Sequence, residues 1–156
     1  MSIRLAQTKD IDRINDLLSQ VLEIHHNGRP DLFKGGTKKY TNDELTEIIN
    51  DPKKPIFVYV DEDDRVIGYA FCIIQQHVNN NILTDVKTLY IDDLCVDENI
   101  RGRQIGKKLY EYVLSYSKKI GCYNLTLNVW SLNDNAIKFY EKCGMKPQKI
   151  GMETIL

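Results

Sequence analysis

Apolar residues recur at helical spacing at Ile11, Ile14, Leu18, Val21 and Leu22, which predicts an amphipathic helix opening near Thr8 or Asp10 and stopping at Gly28. Before it, SIRLAQ reads as a short strand. After it, RPDLFKGGTKKY carries a proline, two glycines and no period, and reads as a loop. Thr41 and Glu44 have the spacing of a capping box for a second short helix through Ile49. The β-rich runs IFVYV and RVIGYAFCII, joined by the acidic tetrad DEDD (61–64), predict an antiparallel hairpin with a solvated turn. The polar stretch QQHVNNNILTDVKT reads as a loop or as frayed strand ends.

From residue 88 the order of elements changes. The strand TLYIDDLCV leads into a helix with Ile105, Leu109, Tyr112, Val113 and Tyr116 on one face, ended by Gly121. YNLTLNVW follows, with Leu125, Leu127 and Val129 alternating as in a half-buried strand. Strand, helix and strand in succession imply a right-handed crossover between two parallel strands. NAIKFYEKC is a further short helix closing at Gly144, and KIGMETIL reads as a final strand. With no repeat, low-complexity tract or linker, residues 1–156 are expected to form a single mixed α/β domain, antiparallel strands first and a parallel pair at the centre.

Composition narrows the classes of function. Apolar residues make up 42% and charged residues 28% of 156, ordinary for a globular protein. The net charge of −1 argues against general nucleic-acid binding. No apolar run approaches the roughly 20 residues of a membrane span, and the polar start is unlike a signal peptide, so no membrane partner is expected and the expected compartment is the cytoplasm. Cys72, Cys95, Cys122 and Cys143 lie far apart without a C-x-x-C pair, and read as reduced thiols, most of them buried. No clustered Cys/His spacing predicts a metal site. His25, His26 and His77 read as helix-end and loop residues.

The chemistry concentrates in DENIRGRQIGKKLY (97–110), where a strand end, a polar loop and a basic helix start follow one another. A helix N-terminus offers unpaired N–H groups and partial positive charge, so the 101–106 turn suits an anion, with Arg101, Arg103, Lys107 and Lys108 around it. A P-loop fails on spacing, because three residues rather than four separate the glycines and Lys108, not Ser or Thr, follows Lys107. A G-x-G-x-x-G dinucleotide fingerprint is absent.

These residues resemble the GCN5-related N-acetyltransferase (GNAT) family, whose signature [QR]-x-x-G-x-[GA] lies between its fourth strand and third helix. Arg101 and Gly106 match its outer positions, and Gln104 departs from its central glycine. A second block, NVWSLNDNAIKFYEKCGM, is similar to the family's N-x-x-A-x-x-F-Y-x-x-x-G-[FM] segment, with Asn133, Ala136, Phe139, Tyr140, Gly144 and Met145 in order. The resemblance implies a mixed central sheet whose parallel strands 4 and 5 splay apart, flanked by about four helices. It also implies acetyl-CoA as cosubstrate, direct attack of a primary amine on the thioester, and a cytoplasmic enzyme of the dimer-prone kind. Its pyrophosphate cradle would be Arg101, Gly102, Arg103, Gln104, Ile105, Gly106 and Lys107. Main-chain groups of Leu94, Cys95 and Val96 would hold the pantetheine, and Asn133 would contact the cofactor or cap its helix.

Tyr140 is the family-matched general acid for the leaving thiolate. YIDDLCV is similar to the Y-[LI]-E-D-x-x-V strand of diamine (polyamine) acetyltransferases, which implies Asp92 as the proton relay, with Asp93 its neighbour on the opposite strand face. The expected acceptor is a primary amine, with a small polyamine-like one slightly preferred over a protein N-terminus or lysine. The rival reading is a non-catalytic acyl-CoA-binding regulatory module. Gln104 is expected to take ordinary helical angles, with its side chain turned away from the cradle.

Overall fold

A computed structural model describes residues 1–100 and 102–156. Five strands form one sheet in sequence order: β1 (Ser2–Leu5), β2 (Ile56–Val60), β3 (Val66–Gln76), β4 (Lys87–Val96) and β5 (Asn124–Leu127). The first four pair antiparallel and β4 pairs parallel with β5, as the crossover through α3 (Ile105–Lys119) requires. The remaining helices are α1 (Ile11–Gly28), α2 (Asn42–Asn50) and α4 (Asp134–Lys142).

Alternation along β2 shows how the sheet serves two cores. Ile56, Val58 and Val60 face a cluster with Ile14, Leu17 and Leu18 of α1 and Leu45 of α2. Phe57 and Tyr59 face the other side, with Ile105, Leu109 and Val113 of α3. Because β2 and the start of β3 are covered on both faces, their residues are almost all buried and the strands read as continuous apolar runs. Gly68 of β3 is where α3 comes closest: a Cβ there would lie 3.0 Å from the Cys95 carbonyl oxygen and 3.1 Å from Leu109.

Several local expectations hold in detail. The Glu44 N–H donates to Thr41 Oγ1 at 3.1 Å and the Thr41 N–H to Glu44 Oε1 at 3.3 Å, completing the capping box of α2. The α1 start is different: a 3-10 turn, Thr8–Asp10, precedes it, and the Asp10 carboxylate accepts from the Gln7 N–H and from Arg4. The acidic hairpin turn is not merely solvated. Asp61 Oδ1 accepts from the Asp63 and Arg65 N–H groups, and Asp64 pairs with Arg4 and Lys9.

Two expectations are corrected. YNLTLNVW pairs only through Asn124–Leu127. KIGMETIL forms no strand: among the described residues it pairs with nothing in the sheet, and Ile150, Met152, Ile155 and Leu156 are strongly exposed. The periodicity is that of a strand, but no sheet edge of this chain receives it. Among the described residues no helix is long and apolar enough to cross a membrane.

Candidate functional site

The site begins where β4 loses its parallel partner. Thr88 to Ile91 pair with Asn124 to Leu127, and beyond Ile91 no strand pairs with that edge of β4 among the described residues. On the other edge Leu94, Cys95 and Val96 remain paired with Ala70, Tyr69 and Gly68. The predicted splay is therefore present, and Leu94, Cys95 and Val96 lie along its open side.

A β-bulge coincides with the splay. Phe71 opposes Asp93 and Cys72 opposes Ile91, so Asp92 is the extra residue on β4. Leu89 and Ile91 pack toward α3, as do Leu94 and Val96, whereas Cys95 packs toward α1. Regular alternation would have put Asp93 on the face of Ile91; the bulge turns it to the face of Tyr69 and Phe71. Period 2 sets neighbouring carboxylates on opposite faces of a regular strand; the bulge, not the period, decides which face Asp93 takes.

Their surroundings differ. Asp92 is exposed and its Oδ2 lies 3.7 Å from the Lys39 ammonium, which also sits 5.4 Å from the Tyr40 ring centroid. Asp93 is half-buried and accepts a 2.8 Å hydrogen bond from the Tyr69 hydroxyl. Burial pushes the Asp93 carboxyl above the usual carboxylate range, against the pull of Tyr69, Lys39 and His25. Burial likewise pushes the Tyr140 hydroxyl up, helped by the nearby charge of Asp93 and by Cys143 and Cys95, so Tyr140 keeps its proton. Tyr140 and Asp93, distant in sequence, thus act on one another through their charges.

At the anion cradle, α3 opens with the N–H groups of Ile105, Gly106 and Lys107 ahead of its first intrahelical bond, Lys108 N–H to the Gln104 carbonyl at 3.0 Å. A Cβ on Gly106 would stand 3.4 Å from Phe139 and 3.6 Å from Val96. Gly106 is thus where the helix start, the end of β4 and α4 meet, which explains physically why the two sequence blocks occur together. Gly102 has φ 91°, and Arg103 and Lys107 are exposed, Lys107 lying 3.8 Å from Glu111. Arg101 lies outside the described residues. Asn133 caps α4, its Oδ1 accepting from the Ala136 N–H at 3.2 Å.

Gln104 corrects an expectation. Its angles are φ 56° and ψ 29°, left-handed rather than helical, and its exposed side chain makes no capping bond. This is a backbone shape that favours glycine, and a residue with a Cβ pays roughly 1 kcal/mol to hold it. Gln104→Gly is expected to raise stability by about 0.5–1 kcal/mol, measured by denaturant unfolding. A loss of stability would mean that the Gln104 side chain is held by contacts worth more than its strain.

Further side chains outside the matched motif positions bear on the two carboxylates or on one another. His25 in the last turn of α1 meets the Phe33 ring at a tilt, 5.0 Å between centroids, and Phe33 meets Trp130 edge-on at 5.5 Å. Asn128 donates to the Tyr90 hydroxyl at 3.3 Å. Burial pushes the His25 pKa down, against the pull of Asp93, with Lys39 adding to the fall. His25 thus bears on Asp93, and Lys39 on both Asp92 and Asp93. Cys95 is buried in the core under α1, its thiol 3.9 Å from the Leu17 carbonyl and 3.7 Å from the Val96 carbonyl, a packed thiol rather than an exposed nucleophile. Among the described residues no group of three or more His, Cys, Asp and Glu could hold a metal ion.

Comparison with known proteins agrees with this geometry. A family model described as "Acetyltransferase (GNAT) family" matches residues 19–145. Glucosamine 6-phosphate N-acetyltransferase of Arabidopsis thaliana is 34% identical over 103 residues, 58% of this chain and 64% of that protein. Peptidyl-lysine N-acetyltransferase YjaB of Salmonella typhimurium is 32% identical over 105 residues, 66% of this chain and 59% of that protein. The chain therefore spans about three fifths of the length of these relatives. Among solved structures, a mutant of the BH1408 protein from Bacillus halodurans superposes with a TM-score of 0.95 at 33% identity, covering 100% of this chain and 99% of that one.

Proposed function

The chain belongs to the acetyltransferase (GNAT) family, and from that premise we propose that it transfers the acetyl group of acetyl-CoA to a primary amine by direct attack on the thioester. The observation that carries the reading is the convergence at Gly106: an open helix start, the unpaired end of β4 and the helix bearing Tyr140 meet at one place. The N–H groups of Ile105, Gly106 and Lys107, with the loop's arginines, would hold the pyrophosphate. Main-chain groups of Leu94 to Val96 on the open edge of β4 would pair with the pantetheine amides. Acetyl-CoA supplies the activated acyl group and a thiol leaving group.

An amine with a pKa of about 10.4 arrives protonated and must lose that proton before it attacks. Asp93 is the better acceptor of it than Asp92. Its half-buried carboxyl is raised toward working pH and lies near Tyr140, whereas Asp92 is engaged by Lys39. Tyr140 then donates its hydroxyl proton toward the departing sulfur.

The Lys39 ammonium also bears on the acceptor. It offsets the Asp92 charge, and Tyr69 holds one oxygen of Asp93, so the site lacks the pair of open carboxylates that a polyamine would exploit. An acceptor with a single ammonium fits better, either a small amino compound such as an amino sugar or a lysine side chain. Relatives bearing the names of glucosamine 6-phosphate and peptidyl-lysine acetyltransferases support that class.

Incubation with acetyl-CoA and a panel containing an amino sugar phosphate, an aminoglycoside, spermidine and a lysine peptide tests the reading. CoA release with an acetylated single-ammonium product is expected. Tight acetyl-CoA binding with no product from any amine would instead make the chain an acyl-CoA-binding regulator.

A homodimer belongs to the same proposal. Residues 149–156 have strand periodicity and an exposed apolar surface, β5 leaves its outer edge open, and both features lie on one chain. Reciprocal addition of this segment to the sheet of a second copy would cover both at once. Light scattering should give twice the chain mass for residues 1–156 and a monomer for a chain ending at 147; a monomeric full chain would refute it.

A further inference from the structure

Tyr69 lies near the start of β3, opposite Cys95 at the end of β4, and is fully buried in the core that α1 covers. Its ring meets Phe71 edge-on at 5.0 Å, which holds it rigidly. A buried phenol needs a partner for its hydroxyl, and Tyr69 donates to Asp93 Oδ2 at 2.8 Å. That contact exists only because of the bulge at Asp92, which turns Asp93 to the Tyr69 face.

We infer that Tyr69 is a positioning residue: its hydroxyl fixes one oxygen of Asp93 so that the other is presented to the acceptor's amine proton. The inference rests on the acetyl-transfer reading with Asp93 as proton acceptor. A carboxylate on a strand can rotate about its side-chain torsions, and a single donor on one oxygen removes most of that freedom. Burial pushes the Tyr69 hydroxyl well up, with Asp93 and Cys95 adding to it, so Tyr69 stays a donor throughout the working pH range and does not itself accept the proton.

Every element packed around Asp93 contributes a group to its titration. Tyr69 comes from β3, Asp92 from β4, His25 from α1 and Lys39 from the segment before α2, and Asp93 in turn acts on Tyr40 and on Tyr140 of α4. Tyr69 is the one of these with a hydrogen bond to the Asp93 carboxylate among the bonds described. A hydrogen bond to the charged form stabilises it, so losing that bond raises the pH at which Asp93 ionises.

Tyr69→Phe in the full chain tests this, since Phe keeps the ring packing and near-UV circular dichroism reports whether it does. With the acceptor found by the amine panel, the acid limb of the kcat/KM profile is expected to move up by about one pH unit, from the usual strength of a bond to a charged group. Below that limb kcat falls about tenfold, while the KM for acetyl-CoA stays at its wild-type value. An unmoved limb, or a uniform fall in kcat at all pH values, would overturn the positioning role. Carboxyl-carbon NMR titration of Asp93 in wild type and variant gives a second readout that needs no turnover. If Asp93 titrates higher in Tyr69→Phe while the wild type acetylates no amine, the Tyr69–Asp93 link stands and the acetyl-transfer reading falls; an unshifted Asp93 removes the link itself.

Discussion

Replacing Tyr140 by phenylalanine is expected to lower kcat by about 10²–10⁴-fold while leaving acetyl-CoA affinity near its wild-type value. The hydroxyl sits on α4, two turns from the Asn133 cap, in a half-buried place whose burial and neighbouring charge keep it protonated. A free thiol ionises near a pKa of about 8.5, so a thiolate develops as the C–S bond breaks at neutral pH. A phenol that holds its proton more tightly than the thiol is never lost as tyrosinate, and is always present to donate to the developing charge. Phenylalanine preserves the packing against Phe139, whose ring lies 5.1 Å away, so the change isolates the hydroxyl. Isothermal titration with CoA should therefore show little change, and steady-state rates a large one. Wild-type turnover would remove Tyr140 from the mechanism and leave it as a core residue of α4.

The second large effect is on stability and comes from Asp97, where β4 turns into the anion loop. Its side chain is 5% exposed, pairs with Arg13 of α1, and accepts from the Asn99 N–H at 3.0 Å and the Asn99 amide at 3.2 Å. Arg13 in turn donates to the Val66 carbonyl at 2.9 Å, so one ion pair ties α1, β3 and the loop together. Asp97→Asn leaves Arg13 with only the exposed Asp16 carboxylate, 4.0 Å away, and should cost about 3 kcal/mol, a fall in Tm of about 6–12 °C for a chain of this size. Burial pushes the Asp97 carboxyl up, but the Asn99 N–H, Arg13 and Gln20 outweigh it and hold the pKa below the ordinary value. A carboxyl depressed on folding stabilises above its unfolded pKa of about 3.9, and that contribution drains away as pH falls through the lower folded value. Unfolding measured from pH 7 downward should accordingly show a flatter acid limb in the variant. Equal stability at pH 7 would mean that the pair contributes nothing net.

The two motif blocks were readable because each is local. Phe139 and Tyr140 belong to one helical turn, Gly106 to another, and their types follow from a close approach and a buried hydroxyl. Capping at Thr41 and Asn133 was equally plain, since a cap involves only residues three apart. Gln104 was misread because spacing says nothing about the sign of φ, which the path of the loop from Asp97 to α3 imposes. Lys39, Tyr69, His25 and Trp130 had no signature at all. Each reaches the site from a different segment, and only the chain's path sets it beside Asp92, Asp93 or Phe33.

Hydrophobic period, turn chemistry and two short motifs were thus enough for the order of elements, the parallel pair and the placing of both motif blocks at helix starts and faces, because these depend on neighbours within a few residues. Which carboxylate turns inward was decided by tertiary structure. One extra residue in β4 inverts the alternation at Asp92, and such a bulge answers to the pairing of two strands rather than to either strand's own pattern. The tail from 149 to 156 shows the same division: its sequence has the period of a strand, and whether it becomes one depends on pairing with a sheet edge, which among the described residues it does not make.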